Sequence, residues 1–162
     1  MQSMEDTPLA GQLTHLKDSP EEIRSKLIKE AHTWIGTPWK HNQKVKGHGV
    51  DCANFLYEIA SASGIELPPM PKRYKRNVVG DSISSYLSQT FRLISFTEIQ
   101  KGDILVFQWG GVGHHVGIVA DTMPCISFIH ANNNLGFVLK QNLDTDFLAR
   151  LIEQYSLTTN HH

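Results

Sequence analysis

One cysteine and two histidines combine residue types and positions that suit nucleophilic catalysis. Cys52 stands where a helix is predicted to begin, and His115 and His130 lie beside two apolar runs farther along the chain. A thiol held at a helix N-terminus and close to an imidazole has a lowered pKa and becomes a nucleophile near neutral pH. The order along the chain therefore predicts a nucleophile, Cys52, and its base, His115.

The two histidines are expected to lie together on neighbouring strands. A turn near residues 121–124 would join the runs around His115 and His130 as adjacent antiparallel strands, with both rings on one face. His130 could then fix the tautomer of His115 through the other ring nitrogen. We therefore predict a Cys-His-His triad.

Alternatives for these side chains stay open at this point. His114 is as basic as His115, but neighbours in a strand point to opposite faces, so only one of them can face Cys52. The motif register favours His115. His130 could instead be a histidine satisfied within a sheet. A zinc site from Cys52, His114, His115 and His130 is chemically possible, although no CxxC or HExxH ligand pair occurs, and we expect no metal and no cofactor.

The elements that position these residues are predicted to be helices first and strands second. Ser19 and Glu22 form a capping-box pattern, so a helix is expected to start there and to stop at residues 36–38. After a loop at residues 39–50, Asp51 is the predicted N-cap of a largely buried helix. A short helix is expected near residues 81–87. The remaining segments are β-prone runs at 104–107, 116–119, 126–129 and 137–139, then a short helix and a last strand within 144–156. This order is typical of an α+β fold with an antiparallel sheet.

Length and charge favour a single domain without nucleic acid as a partner. The chain has 162 residues, of which 15 are basic and 16 acidic. This balance lacks the positive surface that phosphate backbones require. We expect one domain over residues 19–160 after a flexible arm over residues 1–18, and a solvated basic run at residues 72–76.

Cys52 and Cys125 are too few for a disulfide framework and are interpreted as free thiols, although one bridge between them stays open. Cys125 is interpreted as a small buried apolar residue.

The start of the chain lacks the pattern of a signal peptide. Its first eight residues are polar and acidic, and no apolar run reaches the roughly 18 to 20 residues that a membrane-spanning helix needs. We expect synthesis in the cytoplasm, no membrane span, and either delivery to the cell envelope or association with a phage.

Five short motifs occur in the order and approximate spacing of one known family. They cover about residues 20–155, and five in register are fairly specific although each is weak alone. They are Gly36-Thr37-Pro38-Trp39, Asp51-Cys52, the segment 101–107, His115-Val116-Gly117-Ile118-Val119 and Ile129-His130-Ala131. On these residues the chain resembles the NlpC family of bacterial cell-wall cysteine peptidases.

The resemblance implies a papain-like fold, in which Cys52 starts the central helix and packs against a sheet that carries His115 and His130. It also implies that the substrate is a peptide stem of peptidoglycan or a related small peptide. Asp51 would hold a free stem-peptide amine, as in many relatives. The early motif and the lysine-containing insert before Cys52 look most like the phage-tail branch of the family.

Two departures from the family pattern touch the site. Relatives usually have Ser-Gly after the cysteine and a tyrosine in the early motif, whereas this chain has Ala53-Asn54 and Trp39. Because tryptophan offers no hydroxyl to the oxyanion region, Asn54, His41 or backbone N–H groups are expected to compensate. The candidate substrate-binding residues are Trp39, His41, Asp51, Asn54 and His114.

Two other functions stay open beside a cysteine hydrolase. The first is acyl transfer from a lipid, as in the lecithin:retinol acyltransferase-like relatives, but those are typically permuted with histidine before cysteine. The second is a catalytically inactive module that binds cell-wall peptide, or a structural subunit of a phage, which Ala53 and Trp39 favour.

Overall fold

The structure is a computed structural model that describes residues 18–69, 80–109 and 113–157. The predicted arm, apart from Asp18, and the basic run at residues 72–76 lie outside these residues.

The first helix among the described residues begins where the capping box predicts. α1 (Pro20–Thr33) follows Ser19, whose hydroxyl accepts a hydrogen bond from the N–H of Glu22 at 3.1 Å. The Glu22 carboxylate in turn accepts from the N–H of Ser19 at 2.7 Å. The two bonds satisfy N–H groups that a helix leaves unpaired at its start.

The helix that carries the cysteine is also capped as predicted. α2 (Cys52–Ala62) follows Asp51, whose carboxylate accepts from the N–H of Asn54 at 2.9 Å. Cys52 is therefore the first residue of this helix. A third helix, α3 (Gly80–Ser88), precedes the sheet.

The rest of the described chain is mainly an antiparallel sheet of six strands. The remaining elements are β1 (Lys44–Val45), β2 (Gly49–Val50), β3 (Phe91–Ile94), β4 (Ile104–Trp109), β5 (Gly113–Asp121), β6 (Ser127–Asn132), β7 (Phe137–Asn142), α4 (Thr145–Arg150) and β8 (Leu151–Leu157). The sheet has the strand order β3-β8-β4-β5-β6-β7, and the two-stranded hairpin β1–β2 stands apart from it. A 3₁₀ turn (Phe96–Glu98) separates β3 from β4. The predicted α+β class is confirmed.

Side chains of the sheet alternate between two apolar clusters, because successive residues of a strand point to opposite faces. The main cluster joins α1 and α2 to one face and includes Leu27, Ala31, Phe55, Ile59, Val106, Val116, Ile118 and Ile129. The smaller cluster on the other face consists of Leu105, Phe107, Val119 and Phe128, and Phe147 of α4 packs against it.

A buried ion pair ties α1 to the sheet. Arg24 Nη1 lies 2.5 Å from a carboxylate oxygen of Asp103, whose side chain is fully buried. Arg24 also donates to the carbonyl of Lys101 and to the hydroxyl of Ser156, which itself donates to Asp103. The guanidinium thus joins the helix to the start of β4 and to β8.

One expectation about the elements was wrong, and one strand was not predicted. The segment 39–50 contains the β1–β2 hairpin rather than only a loop, and Gly47 permits its turn by adopting a φ of 82°. The strand β3 was not predicted, because its burial alternates imperfectly, with two exposed residues between two buried ones.

The expectation for Cys125 was also wrong. Both cysteines are free thiols as interpreted, but Cys125 is exposed in the turn between β5 and β6, whereas Cys52 is partly buried. None of the described helices combines the length and apolar composition that crossing a bilayer requires.

Candidate active site

Cys52 occupies the position that the sequence predicted for a nucleophile. It is the first residue of α2, is partly buried and packs against the main apolar cluster. α2 itself packs against β5 and β6, on the sheet face that carries Val116 and Ile118. His115 alternates with these two residues, so its ring lies among the aromatic rings of the smaller cluster. The unpaired N–H groups and the dipole of the helix N-terminus favour negative charge at this end of α2.

His115 and His130 are joined by a hydrogen bond. Nε2 of His115 lies 2.6 Å from Nδ1 of His130, and the ring planes are inclined by 77°. His115 is only 3% exposed and His130 is fully buried. The structure therefore brings together the two histidines that the sequence placed on neighbouring strands.

Aromatic rings enclose this pair. Phe107 lies beside His115, and Phe128 and Phe147 lie beside His130 at centroid distances of 4.6 and 5.5 Å. Burial lowers the pKa of His130 to about 4, against the opposing effect of a hydrogen bond to Gln141. Burial, and next the adjacent imidazole, hold the pKa of His115 well below the ordinary histidine value. Both rings are thus neutral at pH 7.

Gln141 is a member of the site that the sequence did not reveal. Its Oε1 accepts hydrogen bonds from Nε2 of His130 at 2.5 Å and from the side-chain amide of Asn132 at 3.2 Å. Gln141 lies opposite Phe128 in the β6–β7 register, next to His130 along the same face. Only that register singles it out, because a glutamine in a strand carries no signal of its own.

Asp51 is held inside the site by its own backbone contacts. The carboxylate is 1% exposed, and its second oxygen accepts from the N–H of Asn42 at 2.5 Å. Nδ1 of His41 lies 3.9 Å from that oxygen. Burial raises the pKa of Asp51, while hydrogen bonds from the Asn54 and Asn42 backbones and the charge of His41 act to lower it.

Trp39 and His41 form a wall next to the start of α2. Their rings are stacked, with centroids 6.4 Å apart and planes inclined by 22°. The backbone of Trp39 donates to the carbonyl of Gly136, and that of Lys40 donates to the carbonyl of Val50, just before Asp51. The wall is therefore anchored both to the β6–β7 turn and to the residue before the cap.

The other two candidate substrate-binding residues, Asn54 and His114, differ in exposure. Asn54 is 6% exposed, and both its backbone and its side chain hydrogen-bond to Asp51, so it supports the cap. His114 is half-buried, and its Nδ1 is buried without a hydrogen-bond partner among the described residues. Strand alternation turns it away from the side of His115.

In the part of the chain that the structure describes, no three His, Cys, Asp or Glu side chains converge in a way that could hold a metal ion. The groups that the structure places at the site are the thiol of Cys52, the imidazoles of His115 and His130, the amide of Gln141 and the carboxylate of Asp51.

Comparison with known proteins identifies the family to which this sequence belongs. The sequence profile of the NlpC/P60 family matches residues 33–152, a range that contains every candidate site residue. The chain belongs to the NlpC/P60 family.

A curated relative with a described activity is the murein DD-endopeptidase MepS/murein LD-carboxypeptidase of Escherichia coli K12. It is 24% identical over 119 residues, which cover 73% of this chain and 54% of that protein. The chain thus spans about half the length of the curated relatives that it matches.

Solved structures of NlpC/P60 proteins share the fold. A lipoprotein-like NLP/P60 family protein from Staphylococcus aureus has a TM-score of 0.65 at 21% identity. The match covers 86% of this chain and 43% of the S. aureus chain. The NlpC/p60 domain of the peptidoglycan hydrolase SagA has a TM-score of 0.58 at 20% identity, covering 83% and 98%. RipD from Mycobacterium tuberculosis, described as a non-catalytic domain adapted to peptidoglycan binding, has a TM-score of 0.56 at 13% identity, covering 85% and 98%. The predicted papain-like α+β fold is confirmed, whereas the phage-tail branch stays a prediction.

Proposed function

We propose that this NlpC/P60 domain is a cysteine hydrolase that cleaves an amide bond in peptidoglycan stem peptides. The observation that carries the proposal is the 2.6 Å hydrogen bond between the buried rings of His115 and His130. A buried pair of imidazoles costs desolvation free energy and suits a base with an orienting partner. Cys52 at the N-terminus of α2 and the murein activity of the E. coli relative support the same conclusion.

In this mechanism Cys52 Sγ attacks the amide carbonyl while Nδ1 of His115 takes the thiol proton. The same nitrogen then gives the proton to the departing amine, which leaves a thioester on Cys52. Water hydrolyses the thioester to release the acid and restore the thiol. The N–H of Cys52 helps to stabilise the oxyanion at the helix N-terminus, and His130 orients His115 throughout. The mechanism requires Sγ to come within hydrogen-bond reach of Nδ1.

The stem peptide would contact the wall formed by Trp39 and His41. The side chain of His41 is 38% exposed, whereas Asp51 behind it is 1% exposed and already accepts two backbone hydrogen bonds. Asp51 therefore fixes the start of α2, and a free stem-peptide amine would meet its charge from behind the exposed ring of His41 rather than by direct contact.

The test is mass spectrometry of purified muropeptides incubated with the wild type, Cys52→Ala and Cys125→Ala. Cys125 is the matched control, because it is the other free thiol and is exposed in a turn. We expect fragments whose masses sum to the parent plus one water with the wild type and Cys125→Ala, and intact stems with Cys52→Ala. Cleavage that persists in Cys52→Ala would exclude the thiol mechanism.

A non-catalytic binding module is the second candidate, because Ala53 departs from the family pattern and the RipD domain of the same fold is described as non-catalytic. It predicts intact muropeptides with the wild type at every pH, together with retention of the protein on isolated cell-wall sacculi.

A further inference from the structure

A continuous chain of side-chain hydrogen bonds runs from the β6–β7 turn to His115. Oδ1 of Asn132 accepts from the backbone N–H groups of Asn134 and Leu135 at 2.8 and 2.9 Å. Nδ2 of Asn132 donates to Oε1 of Gln141 at 3.2 Å. Gln141 then contacts His130, which contacts His115. Each link joins one ring or amide to the next.

The direction of donation in this series of hydrogen bonds is set at the end where Asn132 meets the backbone. A backbone N–H can only donate, so the side-chain atom of Asn132 that faces the turn must be its oxygen. The amide nitrogen of Asn132 therefore faces Gln141 and donates. The atom of Gln141 that receives this bond must be an oxygen, and the same oxygen faces His130.

The same direction of donation extends through the rings of His130 and His115. Because the amide oxygen of Gln141 can only accept, Nε2 of His130 carries the proton, and Nδ1 of a neutral His130 can only accept. Nε2 of His115 must then donate to it. In a neutral His115, Nδ1 is left with the lone pair that a base needs.

We propose that Asn132 and Gln141 are positioning residues, which fix the tautomers of His130 and His115 so that Nδ1 of His115 is the proton-accepting atom. The inference rests on the proposed function for its catalytic consequence, but the tautomers themselves exist without a substrate. With Gln141 turned around, its amide would donate to His130, and every proton along the chain would move to the opposite nitrogen.

Among residues 18–69, 80–109 and 113–157, the contacts of the His130 ring include no competing hydrogen-bond partner. Its ring contacts are Phe128, Phe147 and His115, none of which is a carboxylate or a cationic side chain. Because burial lowers the pKa of His130 to about 4, its ring is neutral at pH 7 and must choose one tautomer. Gln141 is thus the group that decides the choice.

The test uses three variants of matched size. Gln141→Met keeps the length of the side chain but removes the acceptor, Gln141→Glu keeps the acceptor and cannot donate, and Asn132→Asp keeps the bonds to the turn but cannot donate to Gln141. The first readout is NMR of the His130 ring nitrogens in ¹⁵N-labelled protein at pH 7, assigned with His130→Asn. The second is kcat and KM on muropeptides across pH.

We expect a proton on Nε2 of His130 in the wild type and Gln141→Glu, and a mixture of tautomers in Gln141→Met. In Asn132→Asp the carboxylate accepts from the amide nitrogen of Gln141, which then also donates to His130, so the proton is expected on Nδ1 of His130. Loss of an outer hydrogen bond to a metal-binding histidine lowers activity about 10- to 100-fold, and we expect a loss of the same order here. That loss should fall on kcat in Gln141→Met, with KM unchanged. Gln141→Glu should keep kcat near the wild type above pH 7. It should lose activity at a higher pH than the wild type does on acidification, since a carboxylate favours protonated His130.

The proposal is overturned when wild-type His130 carries its proton on Nδ1, or when Gln141→Met leaves the tautomer of His130 unchanged. A wild type that cleaves no muropeptide but shows the expected tautomers refutes the proposed function alone. Cleavage with unchanged tautomers in Gln141→Met refutes the positioning role alone.

Discussion

His130 makes the stability of this domain sensitive to acid through its burial. The ring is fully buried, and desolvation lowers its pKa to about 4, whereas an unfolded chain binds the proton near the ordinary value of 6.5. Between these two pH values the unfolded state binds more protons than the folded state. Acidification across that window therefore favours unfolding.

Replacing His130 with Asn should reduce this acid sensitivity. In the wild type, the free energy of unfolding should fall by about 1.4 kcal/mol per pH unit for this one ring as the pH drops from 6.5 to 4. The variant lacks the titrating group, so its slope should be smaller by that amount. Urea denaturation at several pH values measures both slopes.

The comparison carries its own control, because the imidazole is neutral in both states above pH 8 and the two stability curves should run parallel there. The raised pKa of Asp51 acts in the opposite direction but is common to both proteins. Equal slopes between pH 6.5 and 4 would contradict the assignment.

Single residues were predictable where a local rule applies to them. The cap residue Asp51 makes the start of α2 readable, and with it the place of Cys52. Gln141 was not readable, because its role comes from a partner on another strand. Cys125 was misjudged because a bias toward burial says nothing about a turn, where its neighbour Met123 is 79% exposed.

At the scale of elements, β5 and β6 fit together because Gly117 has no side chain. A Cβ added there would lie 2.8 Å from the ring of Phe128 and 3.3 Å from Cβ of His130. Phe128 is fully buried against Phe107 and Phe147, so it cannot move aside without cost. The glycine is therefore part of what places His130 beside His115.

Gly117→Ala should destabilise the domain by about 1 to 3 kcal/mol through overpacking. It should also lower activity, because the displaced Phe128 shifts His130. Urea denaturation and muropeptide turnover measure the two effects.

The matched control is the same substitution in a Phe128→Val background, where the clashing Cδ2 atom is absent. The stability cost of Gly117→Ala should shrink there, and the difference between backgrounds gives the coupling of the two sites. An equal cost in both backgrounds would show that the clash with Phe128 is not the cause.

Elements with strong end signals or apolar runs were predictable, and short ones were not. α1 was placed by its capping box, and β4 to β7 by their apolar residues. The hairpin β1–β2 has two residues in each strand, and both residues of β1 are exposed. Such strands form through contacts with the wall at Trp39 rather than through a pattern of their own.

At the scale of the whole molecule, the pair of Arg24 and Asp103 joins the helical layer to the sheet. The Asp103 side chain is fully buried and that of Arg24 is 11% exposed. Removing one partner of a buried pair leaves the other charge without compensation.

Arg24→Met should therefore destabilise the domain by about 3 to 5 kcal/mol. Lys26→Met is the matched control on the same helix, because the Lys26–Asp18 pair is exposed and should contribute about 1 kcal/mol or less. The midpoint of urea denaturation should move far more in the first variant, with the m-value unchanged in both. Comparable shifts in the two variants would mean that the buried pair does not anchor α1.

The class of the whole fold was predictable because helices precede strands along the chain. The strand order was not, since β8 pairs with both β3 and β4 and both pairings join segments distant in sequence. The hydrophobic pattern of a strand identifies the face it buries and leaves its neighbours undetermined.

The position of β8 between β3 and β4 also has a consequence for how the domain emerges from a ribosome. Residues 104–107 of β4 are all buried in the finished fold, yet one edge of that strand has no partner until residues 151–157 have been synthesised. An apolar strand with an open edge is a site for association with other chains and for chaperones. The nascent domain is therefore most vulnerable just before its last strand is complete, and insertion of that strand is the event that ends the risk.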